Sequence, residues 1–214
     1  MRRRRRRRRP DLAAGELLTL RVGESVAGGT ALARTDDGRV VLVAFAAPGE
    51  LVSARVERTH PDYLEASTEQ VLEPSPDRVE PACPLFGDCG GCQFQHLAYA
   101  AQLRAKEHIV REQLERIGKF PEPPVRPIVG APDPWGYRNH VRFSTGQRDG
   151  DVGFVSRRTR GLLKVEHCPI TDPWINGLLP DLQGRGRGLH QVQVRHNPEN
   201  DSYLVSPAIQ GLGV

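Results

Sequence analysis

CPLFGDCGGCQFQH, residues 83–96, places three of the four cysteines of this chain in one short stretch. Cys83, Cys89 and Cys92 follow a C-x5-C-x2-C spacing, and Cys168 lies far downstream. Four thiolates suit either a tetrahedral zinc site or an iron–sulfur cluster, because both bind sulfur strongly. The spacing matches neither a zinc ribbon, which has two C-x2-C arms, nor a bacterial ferredoxin. The cysteines therefore predict a metal centre and leave zinc and iron–sulfur both open.

The positive charge of the chain is concentrated at its start. Eight consecutive arginines, residues 2–9, exceed the net charge of +4 for all 214 residues, so the remainder is acidic. Such a run repels itself and buries no apolar surface, which predicts a disordered tail over residues 1–10. This tail is either an arm that binds nucleic acid or a solvated extension.

The rest of the sequence is that of a folded protein. Hydrophobic residues make up 38% of the chain, enough for one large domain or two small ones. No apolar run of signal-peptide or membrane-span length follows the arginines. We therefore expect a cytoplasmic protein with no membrane partner. Because cytosolic thiols stay reduced, the four cysteines favour metal binding over disulfides.

Residues 11–73 read as a small β-barrel. Four short runs rich in valine, leucine and threonine alternate in part between apolar and polar residues. The runs are ELLTLRVG, RVVLVAF, LVSARVERT and YLEASTEQVLE. Turn signals separate them at Gly28-Gly29, Asp36-Asp37-Gly38 and Pro48-Gly49. This close spacing predicts a five-stranded barrel of the OB type, which binds oligonucleotides in some proteins and acts as a spacer in others.

A proline-rich linker at residues 74–82 precedes the cysteines, and a helical period begins after them. Residues 97–117 predict one long amphipathic helix whose apolar face packs in the core. That face comprises Leu103, Val110, Leu114 and Ile117. Two ion pairs at i,i+4 spacing support the helix: Glu107 with Arg111 and Glu112 with Arg116.

A second β region follows the helix and carries the candidate RNA contacts. YRNHVRFSTG, VGFVS and LLKVEHC are separated by turns, which predicts an antiparallel meander whose last strand ends at Cys168. Alternation places Arg138, His140 and Arg142 on one face of the first strand, and Asn139 lies between them. A basic stripe of this kind either follows a phosphate backbone or is the solvated face of a sheet. A helix at DPWINGLLPDLQ and a hairpin at QVQVRHNPENDSYLVSPAI complete a fold that is α+β and mainly β.

One family resemblance covers most of the chain. The cysteine stretch continues as CPLFGDCGGCQFQHLAYAAQLRAKEHIVREQLERIG, and PWGYRNHVRF and VEHCPI follow downstream. This combination resembles the iron–sulfur segment and central domain of the class I SAM-dependent RNA (uracil-5-)-methyltransferases. GELLTLRVGESVAGGTALART resembles the TRAM domain, an OB-like barrel that precedes the cluster in many members. The resemblance spans about residues 15–209 and matches the N-terminal portion of such an enzyme.

The resemblance implies specific roles for residues of this chain. It implies a four-cysteine ligand set for a [4Fe-4S] cluster: Cys83, Cys89, Cys92 and Cys168. Three polar residues beyond the loop are expected to orient it: Gln93, Gln95 and His96. The candidate contacts to ribosomal or transfer RNA are Arg138, Asn139, His140 and Arg142. Residues 74–214 would form the iron–sulfur-binding central domain, in incomplete form.

The catalytic part of the family is not expected in these 214 residues. Family members methylate uridine to 5-methyluridine with SAM bound in a doubly wound domain, a cysteine that attacks uracil C6 and a carboxylate that helps to remove the C5 proton. All four cysteines match cluster positions, so none remains for attack. The run GRGRG at residues 184–188 leads into a strand, whereas a cofactor loop opens a helix. The alternative is a stand-alone RNA-binding or adaptor protein with a four-cysteine zinc or iron–sulfur site.

Overall fold

The computed structural model describes residues 12–209 and 211–212. The described chain forms two units. The first comprises its residues up to Glu80 together with His96–Ile128, and the second comprises Pro81–Gln95 together with those from Val129 onward. Strands outnumber helices in the chain, which confirms the α+β, mainly β class. The predicted arginine-rich tail lies outside the described residues.

The first unit is built on a six-stranded sheet. Its strands are β1 (Leu17–Arg21), β2 (Ser25–Val26), β3 (Thr30–Arg34), β4 (Val40–Ala44), β5 (Leu51–Thr59) and β6 (Tyr63–Glu73). Their order is β1-β5-β6-β4-β3-β2, and all neighbours are antiparallel except β4 and β6. The four predicted runs correspond to β1, β4, β5 and β6, and β2 and β3 flank the Gly28-Gly29 turn.

Alternating side chains build the core of the first unit. In β4, Val41 and Val43 are fully buried, and in β5 the same holds for Val52 and Ala54. These residues form one apolar cluster with Leu64 of β6. The period-two pattern of the sequence therefore corresponds to one face of the sheet turned inward.

The predicted long helix is present and also lies in the first unit. Helix α1 (Tyr99–Glu112) continues into a π-helical turn (Gln113–Ile117). Both predicted ion pairs form, with nitrogen–oxygen distances of 3.5 Å and 3.3 Å: Arg111 with Glu107, and Arg116 with Glu112. The helix is therefore predicted correctly in position and in its charged face.

The predicted apolar face of this helix is wrong. The side chains that α1 buries are Ala101 and Ala105. Val110 and Ile117 are 50% and 72% exposed, and the two leucines of the predicted face are only half-buried. Small alanines allow closer packing than the larger residues do, and the wider π-helical turn rotates Ile117 out of the α-helical register.

The second unit is built on a five-stranded antiparallel sheet. Its strands are β7 (His140–Thr145), β8 (Val152–Val155), β9 (Leu162–Lys164), β10 (Gln191–Asn197) and β11 (Ser202–Ser206). Their order is β11-β10-β7-β8-β9. The meander β7-β8-β9 and the hairpin β10-β11 were both predicted. Helix α2 (Pro173–Leu182) begins at Asp172, whose carboxylate accepts the Trp174 N–H at 2.8 Å.

One face of this sheet packs on α2. The buried strand residues are Val141, Phe143, Val152, Val192 and Val194, and the buried helix residues are Ile175, Leu178, Leu179 and Leu182. The opposite face keeps polar side chains exposed. The sheet thus has one dry face and one solvated face, as an antiparallel sheet in a two-layer unit does.

Candidate metal centre and RNA-facing strand

The cysteine loop is held by short backbone hydrogen bonds. The Phe86 N–H donates to the Cys83 carbonyl at 3.0 Å, and the Cys89 N–H donates to the Leu85 carbonyl at 2.8 Å. The Gly91 N–H points at the Cys89 Sγ, 3.4 Å away. The first two bonds fold the segment into consecutive turns. The third places an amide beside sulfur, where it can stabilise negative charge on a thiolate.

Side chains of the second unit anchor the loop at both ends. The Cys83 N–H donates to Oε1 of the buried Gln95 at 3.1 Å, and the Gln93 side chain donates to the Gly90 carbonyl at 3.2 Å. Near the middle of the loop, Ser156 Oγ donates to the Asp88 carboxylate at 2.6 Å. Both glutamines therefore orient the loop as predicted, and Ser156 ties it to the turn after β8.

His96 belongs to the first unit and has a different setting. Its side chain is 1% exposed, and its ring lies edge-on to the Phe45 ring at 6.5 Å between centroids. Burial lowers the pKa of His96 to about 4, although the hydrogen bond that its ring donates to the backbone carbonyl of Ala46 acts in the opposite direction. The residue is therefore a neutral histidine of the core at neutral pH.

Cys168 lies beyond the position predicted for it. Strand β9 ends at Lys164, and Cys168 follows in the connection to α2. Asn176 of α2 holds this connection, because its Oδ1 accepts the Cys168 N–H at 2.9 Å and its Nδ2 donates to the Cys168 carbonyl at 3.0 Å. The helix, rather than the strand, fixes the fourth cysteine.

All four cysteines line one cavity of the second unit. They are Cys83, Cys89, Cys92 and Cys168. The cavity measures about 410 Å³ with the solvent space at its mouth, and Arg138, His167 and Phe154 also line it. All four thiols are free. The chain thus brings together, from two distant stretches, four ligands of one chemical type.

Burial governs the chemistry of the thiols in the cavity. It raises the pKa of Cys89 and of Cys92, and the charges of neighbouring cysteines raise both further. The Arg138 guanidinium opposes part of the rise at Cys92. Burial thus favours the neutral form of these two thiols, whereas a bound metal would deprotonate the thiols that hold it. In the described parts of the chain, no group of three or more His, Cys, Asp and Glu side chains has the arrangement needed to hold a metal ion.

The four candidate RNA contacts lie in two settings. His140 and Arg142 are exposed on β7, and their neighbours Val141 and Phe143 are buried, which follows the predicted alternation. Arg138 precedes the strand, is half-buried and lines the cysteine cavity. Asn139 is exposed, and its carbonyl accepts the His196 N–H at 2.9 Å. The stripe on the solvated face therefore begins at His140.

Sequence reasoning missed a third basic residue on this face. Arg195 of β10 pairs directly with His140, and Gln193 pairs with Arg142. Arg195 is exposed, and no ion pair of the described residues includes Arg142 or Arg195. The alternation of Val192 and Val194 with polar residues could have placed Arg195 on the solvated face. The pairing of β10 with β7 could not be read from either strand alone.

Comparisons with known proteins agree with this picture. The TRAM domain family matches residues 14–68. An uncharacterized RNA methyltransferase of Gloeobacter violaceus is 38% identical over 78% of this chain and 37% of its own length. One of Aquifex aeolicus is 38% identical over 86% of this chain and 43% of its own length. Over the region that it spans, the chain is similar to proteins named RNA methyltransferase. The chain covers about two fifths of the length of these relatives.

A solved structure of the family shares the fold. It is the Pyrococcus abyssi tRNA (uracil-54, C5)-methyltransferase in complex with S-adenosyl-L-homocysteine, with a TM-score of 0.54 and 22% identity. The match covers 87% of this chain and 45% of that one. The TRAM match, the relatives named RNA methyltransferase and this shared fold together bear out the resemblance to an RNA methyltransferase. None of the helices in residues 12–209 is long and apolar enough to cross a membrane.

Proposed function

We propose that this chain is the RNA-binding, [4Fe-4S]-carrying N-terminal part of an RNA 5-methyluridine methyltransferase. Such an enzyme transfers a methyl group from SAM to uracil C5 in ribosomal or transfer RNA. The observation that carries the proposal is the convergence of all four cysteines on one cavity. The relatives named RNA methyltransferase supply the reaction class, and the Pyrococcus abyssi enzyme supplies the target atom. A cytoplasmic location follows from the reduced thiols.

In this proposal two domains have separate tasks, and their boundary at residue 74 differs from that of the two compact units, because helix α1 counts with the second domain. The sheet of the first unit is an OB-like TRAM barrel over residues 11–73 that binds RNA, and the tail over residues 1–10 adds non-specific attraction for polyanions. Residues 74–214 belong to the iron–sulfur-binding central domain. The match of the TRAM family to residues 14–68 supports the first assignment.

The residues around the cavity fit an iron–sulfur cluster. The cluster, when bound, supplies iron–thiolate bonds that join the cysteine loop to the segment before α2. The chain contributes the four thiolates, the Gly91 N–H beside Cys89 and the positive charge of Arg138, which offsets the negative charge of the ligands. These groups orient and stabilise the centre, and none of them has to react.

The family resemblance is the ground for proposing a cluster and not a single zinc ion. A zinc ion draws its four ligands into one tight tetrahedron, whereas each thiolate of a [4Fe-4S] cluster binds its own iron and stands further from the others. The four cysteines of this chain line one cavity, which brings together the ligand set that either centre needs. The cysteine motif resembles the iron–sulfur segment of the family, and this resemblance is the reason for proposing the cluster.

Catalysis is assigned to a segment outside these 214 residues. Methyl transfer to C5 needs a SAM pocket, a thiolate nucleophile and a base in near-attack geometry. The four cysteines are used as ligands in this proposal, so none is free to attack C6. Within the described sheets only β4 and β6 pair in parallel, whereas SAM binding in the family uses a doubly wound parallel sheet. The second candidate function is a stand-alone RNA-binding adaptor with zinc or iron–sulfur in the same site.

The metal content of anaerobically purified protein tests the proposal. We expect iron and sulfide, a brown colour and broad absorption near about 400 nm. Cys168→Ser should lose all three, whereas Ile175→Val, a conservative change in the same core, should keep them. Stoichiometric zinc without iron would favour the adaptor. A tritiated-SAM assay on undermethylated RNA completes the test, because the chain by itself should transfer no methyl group.

A further inference from the structure

The Gly-Arg loop, residues 184–188 with the sequence GRGRG, lies between α2 and β10 and has no part in the proposed cofactor site. It is fixed against the turn that follows β7. The Gly186 N–H donates to the Gly150 carbonyl at 2.7 Å, and the Arg187 side chain donates from Nη2 to the Arg148 carbonyl at 3.0 Å. The loop therefore has a defined conformation.

The glycines of this contact cannot carry a side chain. A Cβ on Gly186 would lie 2.7 Å from Cγ2 of Thr145 and 2.9 Å from the Gly150 carbonyl oxygen. A Cβ on Gly150 would lie 2.6 Å from the Gly184 carbonyl oxygen and 2.8 Å from the Arg187 nitrogen. The glycines thus bring two backbones together, and this approach leaves three arginines exposed at one end of the sheet: Arg148, Arg185 and Arg187.

The loop lies at the end of the solvated face. Gln191, the first residue of β10, pairs with Ser144 of β7, and the pairs Gln193 with Arg142 and Arg195 with His140 follow along the strands. At about 3.3 Å per residue, the distance from Gln191 to Arg195 is roughly 13 Å. Arg142, Arg195 and His140 therefore lie on this face, and the Gly-Arg loop lies beyond its other end, past the Gln191–Ser144 pair.

Two acidic residues of the neighbouring turn make local contacts. Asp149 accepts the Asp151 N–H at 3.0 Å within the turn, and the Asp151 carboxylate pairs with Lys164 at 2.8 Å. Arg187 uses one of its five N–H donors on the Arg148 carbonyl and keeps the others for a ligand. A guanidinium whose position is already fixed loses little entropy when it binds a phosphate, and its fork matches two phosphate oxygens.

We propose that the Gly-Arg loop is a phosphate-binding site for RNA and that the RNA strand continues from it along β7 and β10 past Arg142 and Arg195. The inference rests on the proposed RNA-binding function and adds the place and direction of the strand. The contacts are to the backbone, so they position the RNA without reading its sequence. The glycines have the role of holding the arginines in place.

The test measures binding of a fluorescein-labelled single-stranded oligouridylate by anisotropy at several salt concentrations. The protein is the full chain with each arginine of residues 2–9 replaced by serine, so that the tail does not dominate. Arg185→Gln with Arg187→Gln should weaken binding on the order of tenfold and lower the salt slope by about 1.4, the value for two lost phosphate contacts. The control, Arg126→Gln with Arg158→Gln, removes the same charge from exposed positions elsewhere and should leave binding unchanged.

A second variant separates geometry from charge. Gly186→Ala keeps every arginine but displaces the loop, so it should also weaken binding, whereas Gly177→Ala, where a Cβ meets nothing within 4 Å, should not. If the tail-neutralised chain binds no RNA, this inference and the RNA-binding part of the proposed function both fail. Suppose instead that the tail-neutralised chain binds RNA and that the double variant of Arg185 and Arg187 binds as tightly as its control. Only the assignment of the loop then fails. A contact with another protein becomes the better explanation for the loop.

Discussion

The first unit buries a carboxylate whose charge is balanced by a side chain of the same unit. The second unit instead has four thiols around a cavity. Glu50 is fully buried and accepts hydrogen bonds from Arg78 Nε at 2.5 Å and Nη2 at 2.7 Å. Backbone N–H groups of Ala47 and Ser75 satisfy it further. In the described part of the chain the thiols receive fewer donors, among them the Gly91 N–H at Cys89 and the Gln95 side chain at Cys92. The first unit can therefore complete its fold with protein alone, and the second depends on a ligand under the proposed function.

The sharpest test of this difference is removal of the metal. Treating the holoprotein with an iron chelator under oxidising conditions should raise amide exchange in the cysteine loop and around Cys168 by at least about a hundredfold, because metal binding contributes directly to local folding. Exchange in β4, β5 and β6 should stay unchanged. Hydrogen exchange with mass spectrometry measures both. An equal loss of protection in the two units would contradict the comparison.

Breaking the buried ion pair should affect the first unit alone. Glu50→Ala leaves Arg78 without its charge partner, and we expect the free energy of unfolding of this unit to fall by about 3–5 kcal/mol. Urea unfolding read by amide exchange in β5 gives the value. The control is Glu69→Ala, which removes an exposed pair with Arg55 and should change little. Iron content should be the same in both variants.

The pH dependence of the first unit is set by His96. Because burial lowers its pKa to about 4 from 6.5, the unfolded chain takes up a proton between these values and the folded chain does not. The stability contribution is thus complete above pH 6.5 and is lost as the pH falls towards 4, by about 3 kcal/mol in all. His96→Gln should remove this slope, and His190→Gln should keep it. The same urea titration at pH 7 and pH 5 is the measurement.

The contribution of Glu50 to the stability of the first unit should be lost over a separate, more acidic pH range. Burial by itself would raise its pKa, but hydrogen bonds from Arg78, Ala47 and Ser75 outweigh burial and hold the pKa below its ordinary value of 4.5. Its contribution is present above pH 4.5 and is lost only as the pH falls through the lowered pKa. If the free energy of unfolding of His96→Gln still falls with pH below pH 4.5, we assign that remaining dependence to the Glu50 carboxylate.

The smallest expected effect is a gain of stability in the second unit. Gly177 lies exposed within α2, and a Cβ there meets no atom within 4 Å. Gly177→Ala should raise the free energy of unfolding by up to about 1 kcal/mol, because alanine restricts the unfolded chain and favours the helix. Gly153→Ala should have the opposite sign, since its Cβ would clash with the Leu163 carbonyl of β9. Thermal unfolding of the holoprotein distinguishes the two.

Local patterns predicted the strands well because alternation and turns are encoded within each run. β5 and β6 begin and end at the residues read from the sequence. The helix shows the limit of this approach. An apolar stripe on ideal α-helical spacing selected Val110 and Ile117, but tight packing of Ala101 and Ala105 and a π-helical turn decided which face is buried.

The sequence predicted those site residues that lie close together in the chain or that match the family motif. It did not predict residues that only the fold brings together. The cysteine spacing indicated a loop, whereas the pairing of that loop with Cys168 came from the family resemblance. The strand pattern found His140 and Arg142 but not Arg195, because cross-strand pairing depends on the register of two distant segments. Arg138 shared the period of the stripe, yet it precedes β7 and lines the cysteine cavity.

The hold of Asn176 on Cys168 has a consequence for biosynthesis. During translation the cysteine loop leaves the ribosome well before Cys168, and Cys168 is fixed only after α2 has formed and Asn176 can bond to it. Under the proposed function, a nascent chain thus carries three unprotected thiols while the roughly 90 further residues from Cys92 to the end of α2 at Leu182 are made, at roughly 5–20 residues per second. Cofactor insertion has to wait for α2, and oxidation of the loop competes with it in that interval.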